Sequence, residues 1–189
     1  VIWVYRNSRE LRMRKIILIS KSTKSLSQKE IILICKLKNS FWRWTISKQI
    51  SWFKNTAHKN DINILLLINK ELAGYTLLRR RKAYQNRKLI KYLYLDSFLV
   101  KKKFRGKKLG KKLILFNNEI INRSKKHSFL TCEKKTIPFY REFNWKTLAR
   151  NKFKIMDHKH RWFSKSSSIR GMTYNLKKKN KDRFFYYFY

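Results

Sequence analysis

The stretch "VKKKFRGKKLGKKLI", residues 100–114, carries eight lysines and arginines within positions 101–112 and two of the chain's four glycines, Gly106 and Gly110. Its charge alone reads as a solvated basic face or a nucleic-acid-binding run; its flanks point elsewhere. Upstream, "YLYLDSFLV" (92–100) is a run of strand formers, apolar on both faces apart from Asp96 and Ser97, as in the middle of a sheet. Downstream, Leu109, Leu113, Phe116 and Ile120 share one helical face. "SFLTC" (128–132) then reads as a short buried strand, so the whole spells strand, basic loop, helix, strand, with parallel pairing. A helix entered through glycines is an anion-binding device, because its first N–H groups lack partners, its dipole favours negative charge, and glycine admits a phosphate to the main chain.

The spacing excludes two common phosphate loops. An NTPase loop needs four residues between its glycines and a Ser or Thr after the lysine; here only three residues lie between Gly106 and Gly110, and Lys112 follows Lys111. The dinucleotide pattern G-x-G-x-x-G is absent. What the run resembles is motif A of the GNAT superfamily of N-acetyltransferases, R/Q-x-x-G-x-G/A, as Arg105-Gly106-Lys107-Lys108-Leu109-Gly110, with Val100 and Leu113 at the flanking positions. Lys108 stands where that family has its central glycine. "FLTCEKKTIPFYREFNWK" (129–146) is similar to motif B, a strand ending in "CE" followed by a helix bearing "FY", with Asn144-Trp145 in place of Gly-Phe. The resemblance covers roughly residues 10–157. It implies an α/β (α+β) fold: a mixed, mostly antiparallel central sheet with a parallel splayed pair, flanked by helices.

The same resemblance implies acetyl-coenzyme A as cosubstrate and no metal. It assigns the backbone of Phe98, Leu99 and Val100 to the pantetheine arm. Arg105, Gly106, Lys107, Lys108, Leu109, Gly110 and Lys111 go to the pyrophosphate. Tyr140 matches the tyrosine that often protonates the departing thiolate. Acetylation needs a neutral amine, so a base must take its proton. Asp96 is assigned that role, since a carboxylate on a buried strand needs a reason and strand alternation puts it on one face with Tyr94 and Phe98. A structural ion pair with a Lys or Arg is the competing reading, and Glu133 and Glu142 are reserve bases. Trp42, Trp44, Gln49 and Trp52 are expected near the acceptor. His158 and His160 lack a third ligand nearby and are read as no metal site.

The remainder of the chain is read from local pattern. A β-rich run covers 11–20. Ser27 and Glu30 form a capping box that opens a helix. The run 41–54 places Trp42, Ile46, Ile50 and Phe53 at helical spacing. "ILLLI" and "LAGYTLLR" form a hairpin turning at Asn69 and Lys70, with Gly74 marking a bulge or close contact. Residues 79–91 read as a polar connection. Thr136 caps a helix containing Pro138, and "WKTLAR" with "KFKIMDH" reads as a closing antiparallel hairpin near Asn151. Residues 1–160 are expected to form the domain, and 161–189 a basic, aromatic and partly mobile C-terminal tail.

A hydrophobic fraction of 43% with 15% aromatics argues against disorder, despite a net charge of +39. That charge suits polyanions, phosphorylated small molecules and weak non-specific nucleic-acid binding, although a biased usage rich in Lys, Asn and Ile accounts for it equally. Cys35 and Cys132 sit in apolar runs, which suggests a reduced, cytoplasmic protein. No run spans a bilayer, and "KIILIS" (15–20) is too short for a signal peptide. The expected activity is acetyl transfer to an amine of a small molecule such as an amino sugar or nucleotide-linked sugar, by a monomer or homodimer. A basic nucleic-acid-binding protein on an inactive GNAT scaffold is the alternative.

Overall fold

The computed structural model describes residues 1–6, 15–156, 169–177 and 183–187. Contacts divide the chain into two compact units, Val1–Arg79 with Asp96–Asn117, and Arg80–Leu95 with Asn118–Tyr189. The first holds β1 (Ile2–Arg6), β2 (Lys15–Ser22), α1 (Gln28–Asn39), α2 (Ile46–Thr56) and β3 (Ile62–Ile68). The opening of β4 (Glu71–Gln85), the end of β5 (Lys88–Val100) and the start of α3 (Leu109–Arg123) complete it. Its strands run in the order β1-β2-β3-β4-β5, antiparallel from β1 to β4.

Local chemistry sets these elements. The Ser27 hydroxyl accepts from the Glu30 N–H at 3.2 Å while the Glu30 carboxylate accepts from the Ser27 N–H at 2.8 Å, the capping box read from the sequence. The next helix starts later than its periodicity suggests. Thr45 accepts from the Lys48 N–H at 3.3 Å and so caps α2 at Ile46, which leaves Trp42 and Trp44 in the preceding loop with about half their surface exposed. Asn69 and Lys70 both take left-handed φ values, 48° and 68°, as a two-residue hairpin turn needs. The β3–β4 register shifts at Leu66/Leu67 beside Gly74, a bulge. Ile34, Cys35, Leu37 and Phe53 of the helices pack on Leu65, Tyr75, Leu77 and Leu99 of the sheet. Each such large side chain stabilises the fold by roughly 1.5–3 kcal/mol.

The second unit holds β6 (Ser128–Glu133), α4 (Ile137–Glu142), β7 (Lys146–Leu148), β8 (Phe153–Met156), β9 (Ile169–Tyr174) and β10 (Phe184–Tyr187). β5 and β6 are parallel, in register at Leu93–Ser128 and Tyr94–Phe129. β9 lies between β6 and β7, antiparallel to both. Around Phe129 gather Tyr92, Phe153, Phe184 and Tyr186, with the Phe129 and Tyr186 rings stacked at 3.9 Å.

Several local readings are corrected. Residues 79–91 are not a connection but a second hairpin: β4 continues to Gln85, the chain turns through Asn86 (φ 49°) and Arg87 (φ 68°), and β5 begins at Lys88. Burial alternates from Arg79 to Ala83, but Arg79 and Arg81 occupy the inward positions and hide the period. β7 and β8 do not pair as a hairpin: a 3-10 turn, Arg150–Lys152, separates them, and they pair with β9 and β10. The segment read as a tail supplies those two strands. Thr136 does not cap with its side chain; its hydroxyl donates to the Glu133 carbonyl at 2.8 Å, while Pro138 does occupy the first turn of α4. Sequence reading missed β1, and residues 11–14 of the first β-rich run lie outside the described residues.

Candidate active site

The chain leaves β5 at Val100 and enters the basic loop in a fixed order of contacts. The Lys101 N–H donates to the Ala73 carbonyl at 2.8 Å, residues Lys102–Phe104 make a 3-10 turn, and buried Phe104 pins that turn. Arg105 Nε donates to the Val100 carbonyl at 3.2 Å, and its guanidinium lies 5.0 Å from the Phe41 ring centre. Two residues then adopt left-handed backbone, Gly106 at φ 75° and Lys108 at φ 55°. A Cβ at Gly106 would meet nothing within 4 Å, so its φ, not crowding, is what calls for glycine. α3 opens next: its first bond runs from the Lys112 N–H to the Lys108 carbonyl, so the amides of Leu109 and Gly110 have no intrahelical acceptor. Within this run Lys101 and Lys103 both reach Glu71 at 2.7 Å.

Lys108 occupies the motif's glycine position with a glycine-like conformation. Holding an L-residue in that region costs about 1–2 kcal/mol. Left-handed turns, unpartnered helix amides and surrounding cations fit the pyrophosphate of coenzyme A.

A cavity of about 200 Å³ opens in the same unit, lined by Lys38, Trp42, Trp44, Gln49 and Trp52, with Asp96 and Ser97 of β5. Asp96 accepts from Arg79 Nη1 at 3.4 Å and from the Ser97 hydroxyl at 3.0 Å; Arg79 Nη2 donates to the Thr56 carbonyl at 3.0 Å. Ser97 is left-handed (φ 58°), which interrupts the strand alternation used to put Phe98 on the face of Asp96. Lys38, 3% exposed, holds its ammonium 3.5 Å from the Trp52 ring centre. Burial pulls its pKa down from near 10.5 to about 8, with Asp96 opposing the shift.

Sequence reading missed Lys38 and Arg79. The signal for Lys38 was its place four residues after Ile34 and three after Cys35, on the buried face of α1. Arg79 carried no signal, because it looked like part of a basic connection.

Tyr140 lies in the second unit on α4, 8% exposed, its ring edge-on to Phe139 and Trp145. Burial raises its phenol well above the ordinary value, with Cys132 and Tyr94 adding to the shift, so it stays protonated across the physiological range. The helix ends at Asn144, left-handed at φ 65° where motif B has glycine, and Asn118 fixes this corner by donating to the Phe143 carbonyl and accepting from the Trp145 indole, both at 3.0 Å. Glu133 is exposed and paired with Lys135 at 2.7 Å, and Glu142 is also exposed. His158 and His160 lie outside the described residues.

A mostly antiparallel sheet with parallel pairs at β5–β6 and β8–β10, and a strand that runs through a left-handed basic turn into a helix, match the fold expected of a GNAT acetyltransferase. The sequence profile "Acetyltransferase (GNAT) domain" matches residues 24–155, more than half the chain, and the protein belongs to that family. No curated protein matches it in sequence. Among solved structures it is similar to an acyl-CoA N-acyltransferase from Pseudomonas aeruginosa, with a TM-score of 0.63, 11% identity and coverage of 84% of this chain and 98% of that one. An Escherichia coli ribosomal-protein alanine N-acetyltransferase matches with a TM-score of 0.58, 12% identity and coverage of 86% and 97%. An aminoglycoside 6'-N-acetyltransferase complexed with coenzyme A gives 0.60, 9% identity and coverage of 86% and 99%. At these identities the likeness concerns the fold. No helix among the described residues is long and apolar enough to cross a membrane.

Proposed function

We propose that the protein transfers an acetyl group from acetyl-coenzyme A to an amine of a small molecule, an amino sugar or nucleotide-linked sugar being the leading class. The loop at 105–110 supports this reading, since Lys108, standing where the resembled motif has glycine, adopts the left-handed backbone that glycine favours. The cosubstrate supplies the acetyl thioester. Amides of Leu109 and Gly110, with Arg105, Gly106, Lys107, Lys108 and Lys111, bind its pyrophosphate, and the main chain of Phe98, Leu99 and Val100 orients the pantetheine arm. Asp96, steadied by Arg79 and Ser97, takes the proton that the acceptor ammonium must lose. Tyr140 holds the proton that the leaving thiolate needs. The two free cysteines among the described residues suit a cytoplasmic setting.

The test is a screen of amine acceptors with acetyl-coenzyme A, read as free thiol release, beside the thermal midpoint with and without the cosubstrate. Thiol release with at least one amine and a raised midpoint are expected. The net charge of +39 favours a second reading, a nucleic-acid-binding protein on an inactive scaffold. No midpoint shift at millimolar acetyl-coenzyme A, together with salt-sensitive retention on RNA, would establish that reading in place of the first.

A further inference from the structure

Two polar side chains of the cavity are almost fully buried and unmatched. Lys38 is 3% exposed; among the described residues its ammonium meets only the rings of Trp52 at 3.5 Å and Trp42 at 5.5 Å, with no hydrogen-bond acceptor and no carboxylate in ion-pair range. Gln49 is 1% exposed, and among the described residues its Oε1 has no donor although its Nε2 donates to the Trp42 carbonyl at 3.4 Å. The nearby carboxylate, Asp96, is engaged by Arg79 and Ser97. Among the described residues, two cations (Lys38 and Arg79) and one anion (Asp96) leave the site one positive charge in excess.

We infer that the acceptor amine carries an oxyanion, a carboxylate or a phosphate, and that this group binds the Lys38 ammonium in the cavity while Gln49 Oε1 accepts a hydrogen bond from an N–H or O–H of the same molecule. A buried ammonium with unmet N–H groups gains most from a charged oxygen, through charge-assisted hydrogen bonds. The tryptophan faces supply the apolar wall, and the exposed edges of Trp42 and Trp44 let a longer acceptor extend outward. At about 200 Å³ the cavity exceeds the roughly 150 Å³ that holds a benzene ring, which gives room for an amino-acid-sized head. The inference rests on the acetyl-transfer reading for what happens to the amine, but not for what binds.

The test uses matched acceptors that differ only in the oxyanion: phenylalanine with phenylalaninamide, and glucosamine 6-phosphate with glucosamine. Thiol release should give a kcat/KM about tenfold or more higher for the anionic member of one pair, and the pair that shows it tells carboxylate from phosphate. In Lys38→Met that ratio should fall to about two or below, with Lys38→Gln as a second variant should the first misfold. A wild-type ratio near one in both pairs, or a ratio that Lys38→Met leaves intact, overturns the inference and spares the enzyme reading. Without cosubstrate, the anionic members alone should raise the wild-type thermal midpoint, and should not raise it in Lys38→Met. That measurement stands even where no acceptor is turned over, an outcome that would sink acetyl transfer only. Equal shifts from anionic and neutral members, or none, overturn the binding claim.

Discussion

Lys108, at the position where the resembled motif has glycine, adopts a left-handed backbone at φ 55°. Lys108→Gly should therefore stabilise the protein by a net ~0.5–1 kcal/mol, the relief of left-handed strain less the extra freedom glycine has in the unfolded chain. Urea unfolding of both proteins reads this, and a less stable variant would show that the lysine side chain contributes more than the angle costs. Lys38 makes a second prediction, on pH. Its folded pKa, about 8, lies below the ordinary 10.5, so between these values the unfolded chain binds the extra proton and stability rises with pH. Below about pH 8 the full cost of the buried charge is present. Lys38→Met should thus exceed the parent by roughly 1–3 kcal/mol at pH 7, an advantage that shrinks toward pH 10.5, as paired unfolding curves would show. Tyr140, kept protonated by burial, is the assigned proton donor. Tyr140→Phe should lower kcat about 100-fold or more with little change in acetyl-coenzyme A affinity, and an unimpaired kcat removes that role.

At the scale of elements, what could be read locally depended on whether burial followed hydrophobicity. α3 was readable because Leu109, Leu113, Phe116 and Ile120 are both apolar and buried. The extension of β4 was not, because Arg79 and Arg81 fill inward positions and conceal the alternation of period two. β9 had no local signature either: its partners, β6 and β7, lie far upstream in sequence. Its place depends on Gly171, where a Cβ would stand 2.4 Å from the Phe153 ring and 2.9 Å from Phe129. Gly171→Ala should cost ~1–3 kcal/mol by overpacking, measured as a lowered thermal midpoint; an unchanged midpoint would mean that β9 packs less tightly than described.

For the molecule as a whole, a net charge of +39 predicts long-range attraction to polyanions, whether or not acetyl transfer is its activity. Retention on single-stranded RNA should weaken on the order of 1,000-fold between 50 and 200 mM salt, and retention that ignores salt would argue for specific readout instead. The sequence by itself determined the family and pointed to the loop proposed for phosphate, because motif spacing, capping residues and turn chemistry act over a few residues and need no partner. It also marked Asp96, Trp42, Trp44, Gln49 and Trp52 as residues to watch. Only the tertiary structure decided that Asp96 is held by Arg79, that Lys38 is buried over Trp52, and that the last strands enter the sheet. Those outcomes hinge on where a charge meets its partner and which distant strand supplies a hydrogen-bonding edge. No local pattern encodes either one, since both depend on groups far apart in the chain.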